Sequence, residues 1–136
     1  RGLLRKVENF KDYLSICSSA PSEILATIAL NNLDYFLQRN LEKIRHNIEL
    51  FQIFQKKHKA LFDFQAPPTS STAFVRFHLE SSTAEFAENL VKETGIMLLP
   101  SEAFEYGTKH ARIGFGRENF PEVLAGLEQF LKENNY

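Results

Sequence analysis

Apolar side chains recur at intervals of three and four residues through the first part of the chain, the spacing of a buried stripe on an α-helix. The pattern predicts a helix over 3–14 that runs into a segment at 16–17, followed by a break over 18–22. A second helix is expected as far as Asn32, and a long third helix as far as about Lys59. The apolar stripe of the third helix comprises Leu37, Leu41, Ile44, Ile48 and Phe51.

The second half of the chain mixes strand and helix patterns. The Pro- and Ser-rich stretch 66–71 is typical of a linker, and Phe and Val alternate with polar residues over 73–79, which predicts a strand. Ser82 and Glu85 form a capping-box signature for the start of a helix. Gly95 suits the end of that helix, because glycine adopts left-handed backbone without steric cost.

Two short strands and a last helix complete the predicted order. The strands cover 96–99 and 111–115, and Asn119 with Glu122 repeats the capping pattern before a helix. The predicted fold class is a small α/β (α+β) domain: long N-terminal helices, then strand-helix-strand-strand-helix, with helices covering one side of a small sheet. The apolar stripe of the last helix comprises Leu124, Leu127, Phe130 and Leu131.

Composition narrows the classes of function. The 136 residues carry a net charge of −1, with 43% hydrophobic and 24% charged residues, which indicates one globular core and no general affinity for nucleic acid or acidic membranes. No run approaches the roughly 18 apolar residues of a membrane span, and no signal-peptide core is recognisable. Cys17 is the only cysteine, so an internal disulfide is impossible and a reducing, cytoplasmic compartment is expected.

Metal and nucleophile motifs are not recognisable in the sequence. The histidines lack the paired spacing of metal ligands, and there is no Ser/His/Asp or Cys/His set, glycine-rich phosphate loop or supported carboxylate pair. The four histidines are His46, His58, His78 and His110.

Arg112 is the strongest candidate for binding chemistry. Side chains alternate faces along a strand, so Ile113 should point to the core while Arg112 points away, beside Gly114 and Gly116. A long cation beside glycines leaves room for an anion to approach, and the planar guanidinium fork suits a carboxylate. Taken alone, these residues slightly favour a plainer alternative, in which Arg112 lies on an edge strand and pairs with a surface carboxylate such as Glu118.

The order of the pieces resembles a known family. The short apolar strand after Gly95, the loop rich in Glu, Phe and Tyr, the 111–115 strand and the terminal helix resemble the C-terminal domain of class I/II aminotransferases, which are pyridoxal-phosphate (PLP) enzymes of fold type I. Segment 9–23 is similar to the part that leaves the large domain in this family. The resemblance implies a large-domain remnant over 1–21 and a small domain with a long connecting helix over 22–136.

The resemblance also implies what the chain does. In this family a homodimer with a large PLP-binding domain moves an amino group between an amino acid and a 2-oxo acid, and the arginine matched by Arg112 binds the substrate α-carboxylate. The residues that hold the cofactor match positions before Arg1, which is not assigned a cofactor role itself, so these 136 residues alone are expected to be inactive and not to bind PLP. No lysine here occupies the cofactor-lysine motif; the nine are Lys6, Lys11, Lys43, Lys56, Lys57, Lys59, Lys92, Lys109 and Lys132.

Secondary candidates have plainer alternatives, which are favoured. Arg76 is expected to be a solvent-facing strand residue rather than a second substrate clamp. Phe104 and Tyr106 could line a pocket mouth, although loop aromatics more commonly pack on their own strand. Three serines could approach a phosphate by family analogy, but helix capping is the favoured role for Ser18, Ser19 and Ser22.

Alternative functions remain open at the level of sequence. The same scaffold supports lyases and decarboxylases, and the identity of the amino donor is not encoded in these residues. A stand-alone regulatory domain that binds a small acid on its sheet is a second alternative, and a helical interaction domain that uses the stripe over 37–51 is a third. The start at Arg1 rather than Met suggests a fragment or a processed product.

Overall fold

The computed structural model describes residues 2–15 and 17–136, so Arg1 and the predicted segment at Ile16 lie outside the described residues. The described residues pack into two compact units, which divide between Gln38 and Arg39. This division by packing differs in kind from the predicted boundary between 21 and 22, which stays a prediction.

The first unit contains helices without a core. Helix α1 spans Gly2–Leu14 and α2 spans Ala20–Asn31, and neither has a buried residue. The helices are confirmed, but the predicted serine cap is wrong in its chemistry: Ser19 is the N-cap residue of α2, yet its side chain makes no capping hydrogen bond. Apolar side chains are left exposed on both helices, among them Leu3, Leu4, Val7, Phe10, Ile24, Leu25 and Ile28.

Helix α3 spans Leu33–Lys57, and its side chains are buried in the core only in the second half of the helix. The helix follows the predicted interruption at Asn31 and Asn32. Leu37 at the start of the predicted stripe is 45% exposed, whereas Phe51 is fully buried. The residues of α3 that are buried are Asn47, Phe51 and Phe54.

A four-stranded antiparallel sheet forms the centre of the second unit. Its strands are β1 (Phe62–Asp63), β2 (Thr72–Phe77), β3 (Leu99–Pro100) and β4 (His110–Gly114), in the spatial order β1-β2-β4-β3. Strand β1 was not predicted. The predicted strand over 96–99 is corrected to Leu99–Pro100, and β4 lies inside the sheet rather than at its edge.

Helices α4 (Thr83–Thr94) and α5 (Phe120–Glu133) complete the unit. The predicted N-cap of α4 is confirmed at Ser82, whose Oγ accepts a hydrogen bond from the Glu85 amide at 3.1 Å, one of the two bonds of a capping box, and Gly95 ends the helix with φ 73°. Asn119 is the N-cap residue of α5, but the predicted side-chain cap is absent there.

The core covers one face of the sheet, and the other face stays open. Val75 and Phe77 of β2 are buried, as are Ala111 and Ile113 of β4, while the residues between them are exposed. Helices α3, α4 and α5 supply the rest of the core, which confirms the predicted fold class with β1 as an addition. The helical contribution comprises Phe51, Phe54, Phe86, Leu90, Phe120, Leu127, Phe130 and Leu131.

Candidate functional site

Arg112 lies on the open face of the sheet. Its Cα is in register with Phe74 of β2 and Leu99 of β3, and its side chain is exposed. The buried Ala111 and Ile113 on either side fix this orientation, because turning the strand over would bring the charge into the core. The side-chain direction predicted from strand alternation is therefore confirmed.

Glu118, the surface carboxylate considered as a partner for Arg112, is bound by other cations. It receives Lys43 Nζ at 3.2 Å and Arg39 Nη2 at 3.4 Å. The hydrogen bond and the charge of Lys43, followed by those of Arg39, hold the pKa of Glu118 below its usual value. Arg112 makes no hydrogen bond or ion pair with any residue in 2–15 or 17–136. Its N–H donors thus remain available for a ligand.

An aromatic cluster lies next to the arginine. The Arg112 Cζ atom lies over the Phe104 ring, 5.5 Å from its centroid. Phe104 meets Phe74 edge to face at 5.8 Å, and Phe74 stacks on His110 at 5.2 Å with 7° between the planes. Tyr106 contacts both Phe74 and His110. The loop aromatics therefore pack on their own sheet, as expected, and they also border the guanidinium.

The loop that carries these aromatics is anchored by Ser101 and Glu102. The Ser101 hydroxyl is buried, donates to the Gly107 carbonyl at 3.1 Å and accepts from the His110 amide at 3.2 Å. The Glu102 carboxylate accepts from Thr83 Oγ1 at 2.8 Å and from the Ala84 amide at 3.2 Å. The first two residues of the 3₁₀ turn Ser101–Phe104 are thus bound to α4 and to the start of β4, and these bonds give the turn a defined position beside β4.

Opposing influences act on the Glu102 carboxyl. Desolvation raises the pKa of Glu102, but hydrogen bonds from its own backbone, from Thr83, from the Ala84 amide and from Ser101 outweigh it, so the pKa lies below its usual value. The carboxylate is therefore the form that holds the turn at neutral pH.

Two glycines leave open space near Arg112. A Cβ atom built on Gly114 or on Gly116 would meet no other atom within 4 Å. Packing in this unit therefore does not require glycine at either position. Gly114 follows Arg112 by two residues in β4 and therefore lies on the same face of the sheet, where a ligand or another protein segment can reach the backbone.

One face of α3 holds the segment that leaves β4, and this feature was missed in the sequence. The buried Asn47 donates from Nδ2 to the carbonyls of Phe115 and Arg117, each at 2.8 Å. Arg39 and Lys43, which precede Asn47 at intervals of four residues, bind Glu118 in the same segment. Asn47 lies between two positions of the predicted apolar stripe, Ile44 and Ile48, and nothing in the local sequence indicated its partners.

Lys109 is the lysine nearest to Arg112 in the sequence, and its ammonium group is fully engaged. Its Nζ donates to the carbonyls of Leu79, Glu80 and Ser81 at 2.6, 3.1 and 2.9 Å. Lys43, Lys57, Lys92 and Lys132 are paired with carboxylates, and the other lysines are exposed. The described residues thus do not fit the requirements of a lysine-bound aldehyde cofactor, which needs an unengaged lysine beside the site.

The remaining candidates are a second arginine on the sheet, a metal site and a membrane-spanning helix. Arg76 is exposed on β2. Among the residues that the structure describes, no three His, Cys, Asp or Glu side chains lie close enough together to hold a metal ion. None of the helices that the structure describes has the length and hydropathy to cross a bilayer.

Known proteins match the chain over nearly all of its length. Capreomycidine synthase from Streptomyces vinaceus is 26% identical over 131 residues, which are 96% of this chain and 33% of that protein. A PLP-dependent aminotransferase from Streptococcus suis superposes with a TM-score of 0.81 and 26% identity, covering 93% of this chain and 34% of its own. The PLP-dependent cyclase OrfR gives a TM-score of 0.81 and 25% identity, covering 98% and 37%.

No family model matches the sequence. The chain spans about a third of the length of each of these three proteins. In sequence order, in fold and in extent, these residues resemble the C-terminal domain of PLP-dependent aminotransferases.

Proposed function

We propose that these residues act as the C-terminal domain of a PLP-dependent aminotransferase and that Arg112 binds the α-carboxylate of its substrates. The observation that carries the proposal is the exposed guanidinium of Arg112, whose N–H donors have no partner in the described part of the chain. The open space at Gly114 supports it, because a carboxylate approaching Arg112 meets no side chain there.

Arginine is chemically suited to this task. Its fork makes two parallel, charge-assisted hydrogen bonds to a carboxylate and so fixes both position and orientation. An amino acid and a 2-oxo acid present the same carboxylate, so one arginine serves both halves of an amino transfer. PLP supplies the electron sink when it is bound in such an enzyme, and the part of the protein that binds it would lie outside these 136 residues. Closure of this domain over the substrate would exclude water.

A different PLP reaction is the second candidate, because capreomycidine synthase and a PLP-dependent cyclase are among the matches. Arg112 would keep its role, since fold does not determine the reaction and an amino acid substrate carries the same carboxylate.

The test is to express the complete coding sequence that contains these residues and supply PLP, a panel of amino acids and 2-oxoglutarate. Amino transfer requires the acceptor; turnover without an acceptor would favour the alternative reaction. Absence of any PLP-dependent turnover would favour a stand-alone binding domain.

The exposed apolar residues of α1 and α2 suggest further partners. We infer that these helices pack against a large PLP-binding domain and a second subunit of a homodimer. Side chains such as Leu3, Phe10 and Ile28 are 76%, 67% and 53% exposed, which is unfavourable for a helix that remains in water.

Hydrogen exchange of α2 is expected to reveal the missing partners. In the 136-residue chain, the amides of α2 should exchange much faster than those of α4, because short helices owe most of their stability to tertiary packing and α2 buries no residue. If the chain self-associates, protection of α2 should rise with protein concentration while that of α4 stays constant. Strong protection of α2 at every concentration would contradict the inference.

The 136-residue chain is expected not to form a specific aldimine with PLP. Lys109 is occupied by three carbonyls, and the other lysines are solvent-exposed or paired. The measurement is the visible spectrum of the mixture, followed by borohydride reduction and peptide mapping. Slow adducts scattered over surface lysines are compatible with this expectation, whereas a stoichiometric adduct on one lysine would refute it.

A further inference from the structure

The contact between Arg112 and Phe104 points to a second residue in the site. Arg112 is exposed and has no hydrogen-bonded partner among the described residues, yet its Cζ atom lies 5.5 Å from the centroid of the Phe104 ring. We propose that Phe104 is a positioning residue that holds the guanidinium of Arg112 in place for a carboxylate. This inference rests on the proposed role of Arg112 as the carboxylate ligand.

An aromatic ring suits this task better than a carboxylate would. An exposed arginine loses substantial side-chain freedom when it binds a ligand, and restraining it beforehand lowers that loss. A carboxylate such as Glu118 would restrain Arg112 by occupying the same N–H donors that the substrate needs. The face of a ring attracts the cation and offers no lone pair, so it restrains the guanidinium while leaving the donors free.

Phe104 is itself held from several directions. Its ring meets Phe74 edge to face at 5.8 Å, an arrangement that aromatic pairs favour. It ends the 3₁₀ turn that Ser101 ties to β4 and Glu102 ties to α4. The next residue, Glu105, has left-handed backbone with φ 54°, which is unfavourable for a side chain with a Cβ and persists where the surroundings fix the conformation.

The first test measures the order of the arginine side chains in the 136-residue chain by NMR relaxation of the Nε–H groups. Arg112 is expected to be more ordered than Arg76, an exposed arginine on the neighbouring strand that serves as the internal control. Phe104→Leu should lower the order of Arg112 to that of Arg76, and Phe104→Tyr should retain it because the ring remains. Phe104 is 45% exposed, so both variants should keep the melting temperature of the parent chain.

The second test measures kinetics in the complete enzyme. Phe104→Leu is expected to raise KM about two- to fivefold, which is the size of effect that loss of an exposed cation–π contact produces. The effect on kcat should be smaller. Phe104→Tyr should behave as the parent, and Phe104→Leu should add nothing once Arg112 is already alanine, since no cation then lies over the ring.

The outcomes separate the two proposals. Unchanged order of Arg112 in Phe104→Leu, or effects of Phe104→Leu and Arg112→Ala that simply add, would overturn the role of Phe104 and leave that of Arg112 standing. Kinetics that are insensitive to Arg112→Lys would overturn both.

Discussion

Replacing Arg112 by alanine in the complete enzyme is expected to lower kcat/KM by about 30- to 5000-fold. Loss of a hydrogen-bonded, partly desolvated contact to a carboxylate costs on the order of 2–5 kcal/mol, against roughly 0–1 kcal/mol for an exposed ion pair. Arg112→Lys keeps the charge but loses the planar fork, so it should recover only part of the activity. The measurement is steady-state kinetics with both substrates, and both should be affected alike because both carry the carboxylate.

The matched control is Arg76→Ala, which removes an exposed arginine from the neighbouring strand and should leave kcat/KM near the parent value. The melting temperatures of all three variants should stay close to that of the parent, since Arg112 is exposed and the core is formed by residues such as Ile113 and Phe115. Unchanged kinetics in Arg112→Ala, or a loss of activity explained by unfolding, would return Arg112 to an ordinary surface role.

Replacing Asn47 by leucine is expected to destabilise the 136-residue chain by about 2–4 kcal/mol. Leucine has a similar size but donates no hydrogen bond, so the carbonyls of Phe115 and Arg117 lose their partner, and an unsatisfied buried group costs roughly 1–3 kcal/mol. Asn47→Asp should be worse, because a carboxylate would face two carbonyl oxygens. Urea and thermal unfolding measure the loss, which should appear as about 4 °C for each kcal/mol in a chain of this size.

Glu49→Ala on the exposed side of the same helix is the control, and its effect should stay within about 0.5 kcal/mol. If Asn47→Leu proved as stable as the parent, the two carbonyls would have another source of hydrogen bonds and α3 would not hold this segment. Since Phe115 and Arg117 directly follow β4, a destabilised Asn47 variant should also loosen Gly114 and Gly116 next to the site.

Local signals predicted much of this fold. The Ser82–Glu85 cap and the turn at Gly95 follow from side-chain and backbone chemistry within a few residues, and strand alternation alone gave the direction of Arg112. Strand β1 was not predicted because two residues are too few to show a periodicity, and its pairing with Phe77 and Arg76 of β2 lies beyond the pattern of a single element.

Long-range partners account for the rest of the differences. The spacing of the α3 stripe is correct, but periodicity does not say where along a helix the core begins, so Leu37 was expected inside and is exposed. The role of Asn47 was not predicted, because its two carbonyl partners lie about seventy positions later in the sequence. The ring of Phe104 beneath Arg112 depends on the 3₁₀ turn, which no pattern predicted.

The ammonium group of Lys109 occupies the place that a bound alkali-metal ion takes in other loops. Its ammonium group gathers three consecutive carbonyls, of Leu79, Glu80 and Ser81, as a coordinated monovalent cation would. A free ion at such a loop would leave on dilution or exchange with the buffer. Because this cation is tethered to β4, its effective concentration is fixed by the chain itself. The connection between β2 and α4 should therefore keep its shape whatever salts surround the protein.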